Sequence, residues 1–244
     1  MTTDPYGDPD LVALYDVDNP GGIDHDHYRA LAEALDARTI IDLGCGTGLL
    51  TRSLATSGRS VSGIDPSSVM LDWARRQPGA ENVTWILGDA GSIVATGAVD
   101  LVLCTGNAIM HLNADDLRRA LRRISGALRP GGVLAFESRN PSAREWERWT
   151  REATLGERDT DLGRLTEWLE VTDITGDRVT FDAHNVLLDG EDRIYTSTLY
   201  FRRAEAFRTA LQDAGFGQVD VAGGWNGEDI TPTSRVLVFH ARRS

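Results

Sequence analysis

The residues with the clearest chemical meaning lie in one glycine-rich segment, residues 42–48, which reads DLGCGTG. Glycines in such a turn let a ligand approach the backbone closely, and the following helix points its first amides at that ligand. The dinucleotide-binding pattern G-x-G-x-x-G would need glycine at position 49, where this chain has Leu49. Asp42 would repel a pyrophosphate, but it could accept a hydrogen bond from an ammonium group. The segment therefore favours a ligand that carries a cationic group.

Two more aspartates, Asp65 and Asp89, follow the next two apolar runs of the chain. With Asp42, they are expected at the carboxyl ends of three successive strands, where open α/β sheets bind ligands. A single aspartate at such a place is commonly a helix cap or a solvated loop residue. The set of three instead indicates an acidic rim around a ligand site.

Alternating strands and helices must position these groups. Apolar runs predict strands over residues 39–43, 60–64, 83–87, 99–104 and 133–137. A helix with apolar residues at near-helical spacing, Leu117 to Leu128, lies before the last of these strands, and Pro130-Gly131-Gly132 is expected to end it. This alternation predicts a mostly parallel sheet with helices on both faces, a Rossmann-like doubly wound α/β fold.

After residue 140, apolar and polar residues alternate with a period of two. Three runs with strand character, residues 164–174, 178–188 and 193–201, predict an inserted antiparallel extension. A helix over 204–214 and strands near 218–221 and 235–239 follow. We expect a cap segment and first helix over residues 1–37, of which the first 28 are mobile. The core covers 38–140 plus 203–244, and the extension covers 141–202. All three parts are expected to form a single compact domain.

Composition narrows the functional classes. The 244 residues are 41% hydrophobic and 25% charged, which is typical of a folded domain, and no apolar run is long enough to span a membrane. The net charge of −12 would repel the phosphate backbone of a nucleic acid, so none is expected as a partner. All 25 basic residues are arginine, which excludes lysine chemistry. Two cysteines and an acidic N-terminus without an apolar stretch predict a reducing, cytoplasmic location.

Four motifs in order resemble the class I S-adenosylmethionine-dependent methyltransferases. They are the loop at 42–48, GIDPS at 63–67, LGDA at 87–90 and LRPGGVL at 128–134, and the resemblance covers about residues 38–140. It implies a seven-stranded sheet of that type. It also implies S-adenosylmethionine as cofactor and S-adenosylhomocysteine as product, with no metal expected.

The resemblance assigns roles at these motifs: Asp65 would accept ribose hydroxyls, while the Asp89 side chain and the next backbone amide would read the adenine edge. A sulfonium ligand with two ribose hydroxyls and an amino acid tail suits the acidic rim. The predicted cofactor contacts are Asp42, Gly44, Cys45, Gly46, Gly48, Asp65, Pro66, Met70, Asp89, Ala90 and Cys104.

The segment after the fourth predicted strand is expected to face the transferred methyl group. His111 is the first candidate for a general base, which helps when the acceptor is a hydroxyl or an ammonium group. Alternatively, His111 only caps or packs near the next helix. Cys104 ends that strand and is better read as a buried strand cysteine than as a nucleophile, because it lacks an adjacent proline.

Candidate acceptor contacts are Tyr15, Tyr28, Asn107, Arg139 and Trp225. The tyrosines would close over the cofactor or contact the acceptor, or else anchor the cap. Arg139 would pair with an acceptor carboxylate, or else form a structural salt bridge. Trp225 would line the pocket wall or cover the core.

The extension resembles that of small-molecule methyltransferases, including sugar N-methyltransferases and glycine N-methyltransferase, in which it covers the pocket or builds a dimer interface. We therefore expect methyl transfer by in-line displacement to an oxygen or nitrogen of a small-molecule acceptor, with a possible homodimer through the extension and no membrane partner. The alternatives are a protein or RNA methyltransferase, and a protein that binds S-adenosylmethionine or its product without methylating anything.

Overall fold

The computed structural model describes residues 4–187 and 190–244. Numbered in chain order, its strands are β1 Thr39–Leu43, β2 Ser60–Asp65, β3 Val83–Leu87, β4 Val99–Cys104, β5 Leu128–Arg139, β6 Gly156–Thr160, β7 Gly163–Thr175, β8 Arg178–Val186, β9 Asp192–Tyr200, β10 Phe216–Ala222 and β11 Val236–Arg243. Its α-helices are α1 Pro9–Asp18, α2 Ile23–Ala34, α3 Leu49–Leu54, α4 Ser68–Arg75, α5 Ala114–Ala127, α6 Arg151–Thr154 and α7 Ala204–Asp213.

Seven strands form the main sheet in the order β10-β11-β5-β4-β1-β2-β3. Strands β1 to β5 pair in parallel, whereas β11 is antiparallel to both of its neighbours. The strand order reverses between β1 and β4, and ligands of open α/β sheets bind in the crevice at such a reversal. The predicted doubly wound fold is confirmed.

Successive side chains of the central strands pack into two hydrophobic clusters, one on each face of the sheet. Leu101 and Leu103 of β4 face a cluster built with α2 and α3, whereas Val102 and Cys104 face a cluster built with α5 and α7. This alternation follows from the two-residue period of a strand, and all four side chains are at most 3% exposed. The helices on both faces therefore hold the strand ends in fixed positions.

The predicted antiparallel extension is a four-stranded sheet in the order β6-β7-β8-β9. The sequence prediction missed β6, whose residues alternate in exposure without an apolar run. The predicted middle strand reached Leu188, which, like Asp189, lies outside the described residues. Val179, Leu199 and Phe201 bury the extension against the α5 and α7 side of the main core.

Strand β5 begins earlier than predicted. Helix α5 ends at Ala127, and Leu128 already pairs with Val99 of β4, so the Pro130-Gly131-Gly132 motif lies inside the strand. Gly132 has no room for a side chain there, because a Cβ would lie 2.9 Å from the Arg129 carbonyl oxygen. The register shift between Val99 and Leu101 accommodates this irregular start.

The described part of the N-terminal cap, residues 4–37, contains a 3-10 turn at Pro5–Gly7 and helices α1 and α2, and the mobility expected for the first 28 residues stays a prediction. Asp8 caps α1 by accepting a hydrogen bond from the Asp10 amide at 2.9 Å, and Pro9 follows at the first helical position. Leu14 packs with Leu165 of β7 in a small separate cluster. Helix α1 therefore contacts the extension as well as the core.

Within the described residues, no helix has both the length and the apolar character needed to cross a membrane.

Candidate functional site

The glycine turn follows β1 at the crevice and adopts the conformation that its sequence requires. Gly44, Gly46 and Gly48 have φ values of 75°, 55° and 74°, in the left-handed region that disfavours other residues. A Cβ at Gly48 would lie 2.3 Å from Trp85 Cη2, and one at Gly44 would lie 2.7 Å from Ala108 Cβ. The turn therefore needs glycine both for its backbone and for the space around it.

Asp42 lies beneath this turn and is 1% exposed. Its Oδ2 accepts a hydrogen bond from Thr51 Oγ1 at 2.6 Å, while its Oδ1 has no partner among the described residues. Burial raises the pKa of Asp42 to about 6, against the lowering effect of Thr51. A buried acceptor of this kind is costly unless a donor is supplied, so it fits a ligand ammonium group.

Asp65 ends β2 on the other side of the turn. Its two oxygens accept hydrogen bonds from the backbone amides of Gly46 and Ser67, both at 2.8 Å. Burial raises the pKa of Asp65, and these two amides oppose that effect. Each oxygen keeps a further lone pair, so the carboxylate can still accept the hydroxyls of a ribose.

The remaining predicted cofactor contacts lie around these two aspartates. Asp89 is exposed and accepts the Gly91 amide at 2.7 Å, which caps the short 3-10 turn that Ala90 begins. Met70 is 2% exposed on α4, and Pro66 is exposed at the start of that helix. The structure thus places the three aspartates at the ends of neighbouring parallel strands, as the sequence predicts.

The two cysteines lie on either side of the turn and are both free thiols. Cys45 is half-buried within the turn, and Cys104 is 3% exposed at the end of β4. Burial raises the pKa of both thiols, and neighbouring carboxylates add to the effect. Both side chains therefore remain protonated at neutral pH and form part of the wall.

A buried polar cluster lies at the end of β5. Glu137 is 3% exposed, and it accepts hydrogen bonds from the Tyr28 hydroxyl and, at 2.6 Å, from the Asn107 amide. Burial raises the pKa of Glu137 to about 7, although both hydrogen bonds lower it. Asn107 has a φ of 60°, and its Oδ1 is buried without a partner among the described residues. This cluster fixes the segment that follows β4.

Tyr28 itself is 0% exposed, with its hydroxyl held by Glu137. Its ring lies 5.7 Å from that of Trp225, which is half-buried. These two predicted acceptor contacts therefore form a layer beneath the site, in the core cluster next to α2 and α3. In this conformation an acceptor has no direct access to Tyr28.

Two tyrosines of the N-terminal cap cover the turn. A Cβ at Gly46 would lie 3.9 Å from Tyr15 Cε1, and the Tyr6 ring lies 6.4 Å from that of Tyr15. Burial raises the pKa of Tyr15, and Asp65 is the largest of the charges that add to it. The phenol ring of Tyr15 thus lies close to the candidate ribose acceptor.

His111 ends the short turn after Asn107 and lies edge-on to the Tyr6 ring at 5.9 Å. The residue is exposed at the surface. Desolvation of its ring by the surrounding protein nevertheless lowers the pKa of His111 below the usual 6.5, and the negative charge of Asp4 opposes that effect. Its imidazole is therefore mostly neutral at pH 7 and able to accept a proton. The structure places this predicted base beside the cap tyrosines.

Arg139 makes an ion pair with Glu145, and its guanidinium lies 5.6 Å from the Trp149 ring. Arg235 binds the other oxygen of Glu145, which is 8% exposed. Arg139 therefore forms a structural salt bridge, the alternative to pairing with an acceptor carboxylate, because its charge is already compensated within the protein.

The cap is tied to both the core and the extension by hydrogen bonds. Thr47 of the glycine turn donates to Asp16 of α1, and Ser67 Oγ donates to the Tyr6 carbonyl oxygen at 2.5 Å. On the extension side, Tyr195 donates its hydroxyl to Asp8, and Arg158 pairs with Asp18 at 2.6 Å. Helix α1 therefore bridges the two sheets directly above the site.

A cavity of about 150 Å³ lies under this bridge. Tyr6, Tyr15 and Met70 line it on the cap and core side, and Glu167 and Asn185 line it on the extension side. The cavity therefore contacts both Met70, a predicted cofactor contact, and Tyr15, a predicted acceptor contact. It is smaller than the usual ligand pocket, so larger ligands need the cap to open.

Sequence reasoning missed Tyr6, Asp16 and Glu137. Glu137 carried a usable signal, since a charged residue that ends an apolar run at a sheet edge must find a partner when it is buried. Tyr6 lies in a short Asp-Pro-Tyr-Gly-Asp-Pro stretch whose sequence resembles an ordinary turn. Its place above the turn depends on contacts with α4.

A family comparison supports the interpretation of this geometry. Residues 40–132 match the methyltransferase domain family, and this range includes the glycine turn, Asp65 and Asp89. This segment of the chain is therefore similar to the methyltransferase domain, and the match covers less than half of the 244 residues. The resemblance predicted from the four motifs is thus confirmed.

Two curated relatives match this chain over segments of different length. The glycine N-methyltransferase of Mus musculus is 31% identical over 119 residues, which are 41% of this chain and 40% of that protein. The cypemycin N-terminal methyltransferase of a Streptomyces species is 26% identical over 215 residues, or 86% of this chain and 84% of that protein. The chain therefore matches about two fifths of the length of the first relative.

Solved methyltransferase structures share the whole fold. The CcbJ methyltransferase of Streptomyces caelestis has a TM-score of 0.78 at 21% identity and covers 100% of both chains. The amino pentose methyltransferase of Micromonospora echinaspora, solved with S-adenosylmethionine bound, has a TM-score of 0.69 at 24% identity, covering 95% of this chain and 97% of that one. At these identities the similarity is one of fold.

Proposed function

We propose that this protein transfers the methyl group of S-adenosylmethionine to an oxygen or nitrogen of a small-molecule acceptor by in-line displacement. The observation that carries the proposal is the buried Asp42 carboxylate, whose Oδ1 has no partner in the described part of the chain and lies beneath a glycine turn that Asp65 also contacts. An acidic site of this kind suits a cationic ligand.

The residues present fit that cofactor. In the proposal, Asp42 Oδ1 accepts a hydrogen bond from the ammonium group, and Asp65 accepts the ribose hydroxyls. Asp89 and the Ala90 amide contact the adenine edge. The turn at Gly44 to Gly48, with Cys45, Pro66, Met70 and Cys104, forms the surrounding wall. The cofactor supplies an activated methyl group on a positively charged sulfur.

The protein's own contribution is to position the reactants and to exclude water. Tyr6 and Tyr15 cover the turn, and the bonds from Thr47 and Ser67 hold that cover closed. Because the pKa of His111 is lowered, its neutral ring can take the proton that a hydroxyl or ammonium acceptor must lose. In the proposal, Asn107 is held by Glu137 next to that base.

We place the acceptor between the cap and the extension, where the 150 Å³ cavity joins Tyr15 to Glu167 and Asn185. The similar fold of an amino pentose methyltransferase supports a small acceptor. Arg139 is not assigned to the acceptor, because it already pairs with Glu145. The expected homodimer through the extension remains a prediction that sedimentation can check.

A second candidate is methylation of a peptide N-terminus. It is favoured by one observation, the match over 86% of this chain to a cypemycin N-terminal methyltransferase. A peptide amine would enter the same opening between cap and extension, with its chain extending outwards. A protein that binds the cofactor without transferring the methyl group is the remaining alternative.

The first experiment is calorimetric titration with S-adenosylmethionine and S-adenosylhomocysteine, with NADH as a negative control. Asp65→Ala removes the acceptor of two backbone amides and of the ribose, so binding should weaken by roughly 10-fold or more. Asp72→Ala is the matched control, since Asp72 only pairs with Arg75 on the surface of α4. Absence of binding by the folded protein would refute the proposed cofactor.

Product formation separates the remaining candidates. Transfer of a labelled methyl group is measured with amino sugars, small hydroxyl compounds and a short peptide with a free N-terminus. Methylation of the small compounds supports the proposal, and methylation of the peptide alone supports the second candidate. Tight cofactor binding without any product across the three acceptor groups would favour the non-catalytic alternative.

A further inference from the structure

Helix α1 forms one side of the small cavity at the candidate site. Four of its residues line the cavity: Leu11, Val12, Tyr15 and Asp18. The volume of about 150 Å³ is smaller than the roughly 300 Å³ at which ligand pockets usually begin. A ligand with a nucleoside and an amino acid tail therefore enters or leaves only when α1 moves.

Apolar contacts hold α1 only weakly, and the segment that follows it is flexible by composition. Of its ten residues, Val12 and Leu14 are the two that are buried. Residues 19–22, which join α1 to α2, read NPGG, and Gly21 has a φ of 72°. Two successive glycines can absorb large changes in backbone angles. The segment thus has the properties of a hinge, because Tyr28 anchors α2 in the core.

A buried polar contact with the extension holds the first turn of α1 in place. The Oδ2 atom of Asp8, the residue that caps the helix, accepts a hydrogen bond from the Tyr195 hydroxyl of β9, and both side chains are buried. Arg193 of the same strand lies 3.3 Å from Asp8 and 2.8 Å from Asp10. Strand β9 therefore binds the start of α1 through two side chains.

The contact between Tyr195 and Asp8 is stronger than an ordinary surface contact. Burial raises the pKa of Asp8, but the bond from Tyr195, the other hydrogen bonds and the charge of Arg193 lower it below its usual range. Asp8 is therefore ionised at neutral pH, and a hydrogen bond to a buried carboxylate is charge-assisted. At the other end of α1, the ion pair of Arg158 with Asp18 is partly exposed, and such pairs contribute little.

Tyr195 acts on the site only through α1. It does not belong to the described residues that line the cavity, and its hydroxyl is bound to Asp8. The same helix reaches the glycine turn, where Thr47 donates to Asp16. A change at Tyr195 therefore affects a bound ligand through the position of the helix.

We propose that Tyr195 is a positioning residue that gates the exchange of cofactor and product. Its bond to Asp8 holds α1 over the glycine turn, and this bond must break before the helix swings about residues 19–22. This role rests on the proposed function. Because the bond joins the same two groups with and without a ligand, it slows entry and exit alike and leaves the affinity almost unchanged.

The test compares Tyr195→Phe with the wild type as full chains, since the variant keeps the buried ring and removes only the hydroxyl. Dissociation is measured by chasing bound methyl-labelled S-adenosylmethionine with an excess of the unlabelled compound, and association by rapid filtration. Loss of a charge-assisted hydrogen bond should raise both rate constants by roughly 10-fold, while the dissociation constant changes by less than about 3-fold.

Tyr200→Phe is the matched control, because it also removes one hydroxyl from β9, at the end of that strand. It should leave both rate constants unchanged. Hydrogen exchange of the ligand-free protein gives a second readout: the α1 amides should exchange roughly 10-fold faster in Tyr195→Phe, and the α2 amides at the wild-type rate. If Tyr195→Phe does not fold, Asp8→Asn replaces it, since asparagine can still cap α1 but carries no charge.

Two results would overturn the gate while leaving the proposed function intact. The first is equal rate constants in the wild type and in the variant. The second is faster dissociation with an equal loss of affinity, because that pattern indicates a lost binding contact. Absence of cofactor binding by the folded wild type would instead refute the proposed function, and the gate with it.

Discussion

Replacing Glu137 by glutamine should remove a large pH dependence from the stability of this protein. The Glu137 carboxyl is 3% exposed, and burial raises its pKa from the usual 4.5 to about 7. Between these two values the folded state holds the proton while the unfolded state has lost it. The unfolded state therefore binds fewer protons, and stability falls as pH rises through this window.

The size of this change in unfolding free energy follows from the interval between the two pKa values of Glu137. At about 1.4 kcal/mol per pH unit, the interval from 4.5 to about 7 corresponds to about 3 kcal/mol of unfolding free energy. Glutamine has nearly the same shape, and its carbonyl oxygen can still accept the Asn107 amide while its NH₂ group donates to the Tyr28 hydroxyl oxygen. The variant should therefore keep the contacts and lose the ionisation.

The assay is reversible urea unfolding of both proteins, followed by circular dichroism, from about pH 5 to about pH 8.5. Subtracting the wild-type curve cancels groups common to both, including Asp42, whose raised pKa has the same sign. The variant should gain about 2–3 kcal/mol relative to the wild type across this range. Parallel pH curves for the two proteins would refute the assignment of the raised pKa to Glu137.

Glu145→Gln is the matched control. Glu145 is also buried, at 8% exposed, but Arg139 and Arg235 bind its two oxygens. The pKa of Glu145 is lowered by these arginines, although burial itself acts in the opposite direction. Its contribution to stability is thus present at neutral pH and lost on acidification. The control variant should be less stable than the wild type at pH 7, and the difference should shrink as the pH falls.

Two further predictions concern the site. His111→Ala should slow methyl transfer by roughly 10²-fold or more without changing cofactor affinity. The variant should also remove the loss of wild-type rate that occurs as the pH falls through the lowered pKa of His111. Initial rates against pH test this, with His184→Ala on the extension as control, and an unchanged rate would exclude His111 as the base. Gly48→Ala should cost about 2–4 kcal/mol in urea unfolding, because its φ is 74° and the new Cβ would lie 2.3 Å from Trp85. Gly79→Ala, with φ of 85° and nothing within 4 Å of the new Cβ, should cost only about 1–2 kcal/mol, and equal losses would contradict the steric argument.

Much of the candidate cofactor site could be predicted because its features are local in sequence. Each of the three aspartates lies within two residues of the end of a strand, and the sheet then brings the strand ends together at one edge. The start of β5 was predicted wrongly, because Pro-Gly-Gly is ordinarily a helix stop, whereas pairing with Val99 extends the strand through it. The position of the N-terminal cap could not be predicted, because it depends on contacts with distant residues such as Tyr195.

The sequence alone determined the fold class and the positions of the glycine turn and its aspartates. These follow from short-range patterns, since the period of apolar residues and the need for glycine at a left-handed turn can be read within a few residues. Only the tertiary structure decided that Glu137 holds both Tyr28 and Asn107, that Tyr6 covers the turn, and that Arg202 is buried. Burial and pairing of this kind join residues as far apart as the 109 positions between Tyr28 and Glu137. They arise when the extension and the cap pack on the sheet, because desolvation of a charge depends on all the neighbours that surround it and not on its own segment.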